Sequence, residues 1–195
     1  MMVKICGITN LEDALQAVES GATALGFNFY PKSPRYIAPQ VAAEIVDKLP
    51  AAVTKVGVFV NAETSETARI AGLDVVQLHG DESPRDIREN IRSWKAFRVT
   101  AEFSIDSLGP WPVEAFVLDS PSSAYGGSGI PFDWRLARAA GRKIILAGGL
   151  DASNVRAAIE QAQPFGVDAC SRLEASPGRK DHQKVSQFIR AALKI

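Results

Sequence analysis

Cys6 ends the apolar part of VKICGITN (3–10) and stands immediately before Gly7, where the stretch turns polar. A thiol of ordinary pKa, near 8.5, is only a few per cent ionised at neutral pH, but a nearby cation or helix terminus lowers that value, and the thiolate is a competent base or nucleophile. Residue type alone also fits a plain packing role, because free cysteine is among the most buried side chains. Asp119 ends a second apolar run, FVLDS (116–120). A carboxyl half shielded from water at such a tip could have its pKa raised from about 4 toward neutrality and serve as a general acid; a helix cap or a loop salt bridge would use the same residue.

Glycine-rich turns supply another kind of chemistry. Gly148-Gly149 in ILAGGLD (145–151) joins an apolar run to a helix capped by Asp151 or Ser153, and ACSRLEASPG (169–178) is a small, turn-rich loop that begins with Cys170, Ser171 and Arg172. Backbone N–H groups in such loops can bind phosphate. YGGSG (125–129) is a third glycine-rich loop with the composition of an active-site cover or of any mobile surface loop. Arg35, after Ser33-Pro34, could hold a carboxylate in a bidentate pair or be one more solvated arginine. Gln77 and His79 end another run as lining residues, Asp168 precedes the Cys170 loop, and His182 reads as a surface residue.

Eight short runs rich in β-branched and aromatic residues carry these groups: 3–6, 24–29, 54–60, 74–79, 94–99, 115–120, 143–148 and 166–171. Most are apolar at consecutive positions, the pattern of strands buried on both faces of a parallel sheet. Between them the periodicity predicts a first helix carrying Leu11, Ala14, Leu15 and Val18 on one face, opened by a Thr9/Glu12 capping box, and further helices at 39–49, 63–71, 83–92, 133–140, 152–162 and 181–193. The fifth crossover (101–112), with two prolines and a glycine, has room only for a short or irregular element. The pattern predicts a (β/α)8 TIM barrel formed by residues 1–195 as a single compact domain, lean against the roughly 250 residues usual for that fold. A doubly wound open sheet is the alternative, but the first strand is not followed by a G-x-G-x-x-G loop. In a barrel all the named groups fall at the carboxyl ends of strands, where that fold places its chemistry, and the loops after strands seven and eight are its usual phosphate site.

Lys plus Arg and Asp plus Glu number 22 each, so no charge surplus favours nucleic acid or an anionic membrane as partner. No apolar run has the length of a bilayer span and the first residues lack a secretion-signal core, which predicts a cytoplasmic protein. Two cysteines and two histidines show no metal-site spacing, so neither a metal nor another cofactor is expected. Nothing chooses between monomer and homodimer.

The motifs together resemble the phosphoribosylanthranilate isomerase family of tryptophan biosynthesis: KICGIT (4–9), GFNFYPKSPRYI (26–37), VGVFVN (56–61), VQLHGDE (76–82), LDS with YGGSG and FDW (118–134), AGGL with NV (147–155) and PGRKD (177–181). The resemblance runs essentially end to end. It implies a cofactor-free Amadori rearrangement of N-(5-phosphoribosyl)anthranilate, with Asp119 as general acid and Cys6 as general base. It further implies that Arg35 binds the anthranilate carboxylate, that Gln77, His79 and Asp168 contact substrate, and that Gly148, Gly149, Ser171 and Arg172 bind phosphate. DACSRLE (168–174) departs from the family's D-V-S-S-G-V-E, with Cys170 for a serine and Arg172 for a glycine. If the glycine position needs positive φ or brings its N–H against the phosphate, the arginine costs on the order of 1–2 kcal/mol of strain and could crowd the ligand, or it could add a charge-assisted phosphate contact; a decayed barrel that binds a sugar phosphate without turnover is the alternative function. Barrel closure makes strands one and eight neighbours, so Cys6 and Cys170 are expected close together, where oxidation could disable the base.

Overall fold

Strands apolar on consecutive residues need cover on both faces, and the computed structural model, which describes residues 1–88, 90–120 and 133–194, provides it by closure. Eight parallel strands form a closed barrel in chain order. They are β1 (Met2–Cys6), β2 (Ala24–Asn28), β3 (Thr54–Phe59), β4 (Val75–Leu78), β5 (Arg92–Arg98), β6 (Ala115–Asp119), β7 (Ile144–Ala147) and β8 (Gly166–Ala169). The last pairs with the first, Lys4 opposite Asp168 and Ile5 opposite Ala169. Helices α1 (Leu11–Glu19), α2 (Pro39–Val46), α3 (Ser65–Ile70), α4 (Arg135–Ala139), α5 (Val155–Ala162) and α6 (His182–Leu193) lie between or after the strands. None of the described helices is long and apolar enough to cross a membrane.

The two-residue period of the strands sorts every residue to one of two cores. Val3 and Ile5 of β1, and Phe116 and Leu118 of β6, pack outward in the layer shared with the helices. Ala115 and Val117 of β6 pack inside the barrel with Val56, Val75, Trp94 and Ile145. One step further along the inward rows come Cys6 on β1 and Asp119 on β6. The alternation that buries the core therefore delivers both groups to the mouth at the carboxyl ends.

Several local expectations are corrected. Among the described residues of 83–92 there is a 3-10 turn, Pro84–Asp86, in place of the expected helix. Asp86 accepts from Ser83 N at 2.7 Å and closes that turn, Ile87 is already extended (ψ 131°), and β5 begins at Arg92. Ile87 and Ile91 are only partly buried, too little to anchor a helical face. The cap of α1 is Asn10, whose Oδ1 accepts from Asp13 N at 2.9 Å, and not the Thr9/Glu12 box; Thr9 instead donates its hydroxyl to the Gly178 carbonyl. Neither Asp151 nor Ser153 caps α5, which starts one residue after Asn154, although Asp151 accepts from Ser153 N in the turn before it. The fifth crossover, expected to be short or irregular, contains the 3-10 turn Ile105–Leu108, whose Leu108 is buried with the following Trp111 in the layer shared with the helices. A two-stranded hairpin, β9 (Glu174–Ser176) and β10 (Arg179–Lys180), follows β8 and has no counterpart in the sequence reading. The loop 125–129 lies outside the described residues.

Candidate active site

One pocket at the mouth is lined by all ten residues singled out as catalytic, substrate-binding or phosphate-binding. Cys6 reaches it because its neighbour across the ladder is Gly26: a Cβ there would sit 2.7 Å from Cys6 Sγ and 3.1 Å from Lys4 Cε. Any side chain on Gly26 would displace the thiol. Beneath, fully buried Lys4 donates to Asp168 Oδ2 at 2.6 Å. Burial pushes Asp168 up to about 7 against the pull of Lys4, while burial of Lys4 is outweighed by Asp168 and Cys6, which keep its ammonium charged. Asp168 Oδ1 is buried with no partner among the described residues, an acceptor held ready inside the pocket.

The two thiols meet as closure of the barrel implied. Both are free and both line the pocket, Cys170 following the β8 ladder where Cys6 closes that of β1. The neighbouring Cys170 thiol holds Cys6 well below the ordinary thiol range against burial, helped by the positive charges of Lys4 and Lys180. The nearness of Cys6, together with burial, pushes Cys170 up.

On the opposite wall Asp119 is in register with Arg98 on β5 and Ala147 on β7. Gln77 Nε2 lies 3.3 Å from His79 Nδ1, and His79 Nε2 lies 3.3 Å from Asp119 Oδ2. With Nδ1 accepting from the Gln77 amide, the imidazole proton sits on Nε2, the ring nitrogen nearer Asp119. Two residues read from the sequence as separate lining groups thus form one chain ending at the carboxyl. Gly148 (φ +86°) follows β7, and a Cβ on it would strike the Ser120 backbone and come within 2.5 Å of Asp119 Oδ1. A glycine is required here for left-handed backbone and for the close approach of the carboxyl.

The β7 loop is held by side chains. Ser120 Oγ donates to the Gly148 carbonyl at 3.3 Å and Asn154 Nδ2 to the Gly149 carbonyl at 2.8 Å. In a trans peptide the next N–H points opposite the carbonyl, so the Gly149 N–H is directed away from Ser120. Ser171 and Arg172 open the 3-10 turn Ser171–Leu173 after β8 and line the same end of the pocket. The expected strain at Arg172 is absent: among the described non-glycine residues only Asn61, Gln163 and Lys194 have positive φ. Its guanidinium pairs with Asp151 at 2.9 Å and ties the two loops together.

Arg35 sits on a loop organised by Asn28, whose Oδ1 accepts from Tyr30 N and whose amide donates to Ser33 Oγ; that hydroxyl in turn accepts from Arg35 N. Its guanidinium makes a bidentate pair with Glu174 at 2.8 and 2.7 Å, and Glu174 also accepts from buried Lys180 at 3.1 Å. Burial would raise the Glu174 carboxyl, but Arg35 and Lys180 hold it below its usual range. Glu174 and Lys180 received no role from the sequence, although both lie in quoted motifs. His182, read as a surface residue, is partly exposed and pairs with Asp13 at 2.9 Å.

Comparison with known proteins agrees with this geometry. The family model for N-(5'-phosphoribosyl)anthranilate isomerase matches residues 3–191. The N-(5'-phosphoribosyl)anthranilate isomerase of Solibacter usitatus is 54% identical over 98% of this chain and 97% of its own. Among solved structures, the phosphoribosyl anthranilate isomerase of Thermotoga maritima superposes with a TM-score of 0.93 at 47% identity, covering 100% of both chains. A second, determined in complex with reduced 1-(o-carboxyphenylamino)-1-deoxyribulose 5-phosphate, gives 0.89 at 44% identity, again over 100% of each. The strand-end pocket and these matches together establish that the chain belongs to the N-(5'-phosphoribosyl)anthranilate isomerase family, isomerases of tryptophan biosynthesis.

Proposed function

We propose that the chain converts N-(5-phosphoribosyl)anthranilate to 1-(2-carboxyphenylamino)-1-deoxyribulose 5-phosphate, with Cys6 as general base and Asp119 as general acid. The observation that carries this reading is that a thiol with lowered pKa and a carboxyl, delivered from β1 and β6, line one pocket. Amadori chemistry needs an acid and a base at one pH, and two groups of different chemical type provide that pairing. Asp119 protonates the furanose ring oxygen, the ring opens and the C1–N bond becomes an iminium. The Cys6 thiolate then removes the C2 proton, giving an enolamine that tautomerises to the ketone.

His79 engages one oxygen of Asp119 and leaves the other for the transferred proton. The unpartnered Asp168 oxygen accepts from a sugar hydroxyl. Arg35, fixed by Glu174, presents its remaining N–H groups to the anthranilate carboxylate. The phosphate lies between the β7 and β8 loops on backbone N–H groups of Gly148, Gly149 and Ser171. Turnover by the purified chain, followed through the fluorescence of the anthranilate group, tests the reading; substrate that binds and is not consumed would sink it.

Arg172 supplies a cation to that phosphate in exchange for part of its pairing with Asp151. Replacing Arg172 by Gly should raise KM about three- to tenfold and leave kcat nearly unchanged, the size of one partly exposed charge-assisted contact. Steady-state kinetics checks this, and a large gain in both parameters would mark the arginine as a defect. Against the decayed-barrel alternative stand a backbone without positive φ at this position and a guanidinium paired with Asp151.

A further inference from the structure

A second cavity adjoins the pocket at the mouth. It shares His79 and Val60 with that pocket and is walled by Gly80, Glu82, Lys95 and Trp111. Lys95 lies in register with Leu78 on β4 and Phe116 on β6, both of which pack outward, so it faces the layer shared with the helices. There its side chain is 3% exposed and that of Glu82 6%, and the two form an ion pair at 2.7 Å. Lys95 Nζ also stands 5.1 Å from the centre of the Trp111 ring. A buried ion pair is a costly way to fill such a layer, because apolar side chains of similar volume are often as stable or more so.

What this pair holds is the residue after His79. Lys95 Nζ donates to the Gly80 carbonyl at 2.7 Å, and Gly80 N donates to Glu82 Oε2 at 2.9 Å, so both polar groups of the Gly80 backbone end on it. The other oxygen of Glu82 accepts from Asn61 N at 2.9 Å, and Asn61 Oδ1 accepts from Asp81 N at 2.7 Å, which staples the loops after β3 and β4 together. Gly80 is seated tightly: a Cβ there would lie 2.4 Å from Asn61 Oδ1 and 2.9 Å from Asn61 N. On its other side the His79 N–H donates to the Phe59 carbonyl at 2.8 Å. The His79 backbone is therefore fixed from both ends, and with it the direction in which the ring leaves the loop. That ring bridges Gln77 Nε2 and Asp119 Oδ2, each at 3.3 Å. Contacts of this length have little slack, and drift of the Gly80 peptide by about 1 Å breaks one or the other.

We propose that Lys95 and Glu82 are positioning residues for the acid: as a buried clamp on Gly80 they aim the His79 ring, and His79 orients the Asp119 carboxyl. Neither touches substrate in this role. The inference rests on the reading of Asp119 as general acid, but the state of the His79 ring is measured without any turnover, so the two can fail separately.

The experiment records the ring nitrogens of His79 by 15N NMR alongside steady-state kinetics. The chain has two histidines, and His182→Asn assigns the spectrum. Two variants are compared with the unaltered chain. Lys95→Met/Glu82→Gln removes both charges together and leaves no unpaired ion buried. Gly80→Ala keeps the ion pair but forces Asn61 and the Gly80 backbone apart. In the unaltered chain the ring should show a single tautomer, protonated at Nε2. In both variants it should average between tautomers, and kcat should fall about ten- to a hundredfold while KM stays within about twofold, the effect of a misplaced group in machinery that still binds. An unchanged ring in either variant, or a changed ring with unchanged kcat, would overturn the proposal. So would a KM that rises as kcat falls, the mark of a mouth loosened as a whole. If the unaltered chain has no turnover, the isomerase reading fails and the ring signature alone decides the clamp; Gly80→Ala decides it where the double variant does not fold.

Discussion

Cys6→Ala is expected to lower kcat by about 10²–10⁴-fold, the usual contribution of a positioned general base, with KM changed little. The asymmetry follows from where the binding groups sit. The loops after β7 and β8 proposed to bind phosphate and the Arg35–Glu174 pair lie outside β1, so substrate is expected still to dock when the thiol is removed. Alanine at position 6 is smaller than cysteine and meets Gly26 with room to spare, so the barrel remains closed. Steady-state kinetics on the folded variant checks the expectation. Retention of more than a tenth of kcat would assign the C2 proton to another group.

Asp119→Asn is the second large effect, again about 10²–10⁴-fold in kcat. Asparagine has the shape of the carboxyl and still offers an oxygen to His79, so the Gln77–His79 chain and the packing against Gly148 persist. What it cannot do is give a proton to the ring oxygen. Furanose opening should become the slow step, and Cys6 should alkylate as fast as in the unaltered chain. A variant that turns over normally would show that the ring opens without this residue. A variant whose Cys6 reactivity also collapses would show that Asp119 supports the thiol and is not a separate acid.

All eight strands were legible because strands buried on both faces leave an unbroken apolar run, a signal that survives without knowing what covers them. The mouth residues were legible for the same reason, since strand ends and a period of two place Cys6, Gln77, Asp119 and Asp168 together. The segment 83–92 misled because its polar pattern suits a helix while its apolar residues are too few to hold one down. The α1 cap was misplaced by one residue: Asn10 and Thr9 are both good caps, and only the distant Gly178 carbonyl decides that Thr9 turns elsewhere. Arg35 and Glu174 stand 139 residues apart in sequence, and no local pattern announces their partnership or its extension to Lys180. Gly26 looked like any strand glycine until register set it opposite Cys6. The part of the concern over Arg172 that turned on a positive φ needed a backbone angle, which composition does not reveal.

The central claim is that this pocket moves protons on a phosphoribosyl anthranilate, and the most direct measurement is turnover by the unaltered chain in heavy water with mass spectrometry of the product. Proton removal at C2 followed by tautomerisation of the enolamine predicts steady consumption of the fluorescent substrate and product carrying solvent deuterium at C1. Substrate bound but not consumed, or product formed with no deuterium at C1, as a direct shift of hydrogen from C2 to C1 would give, would contradict the account.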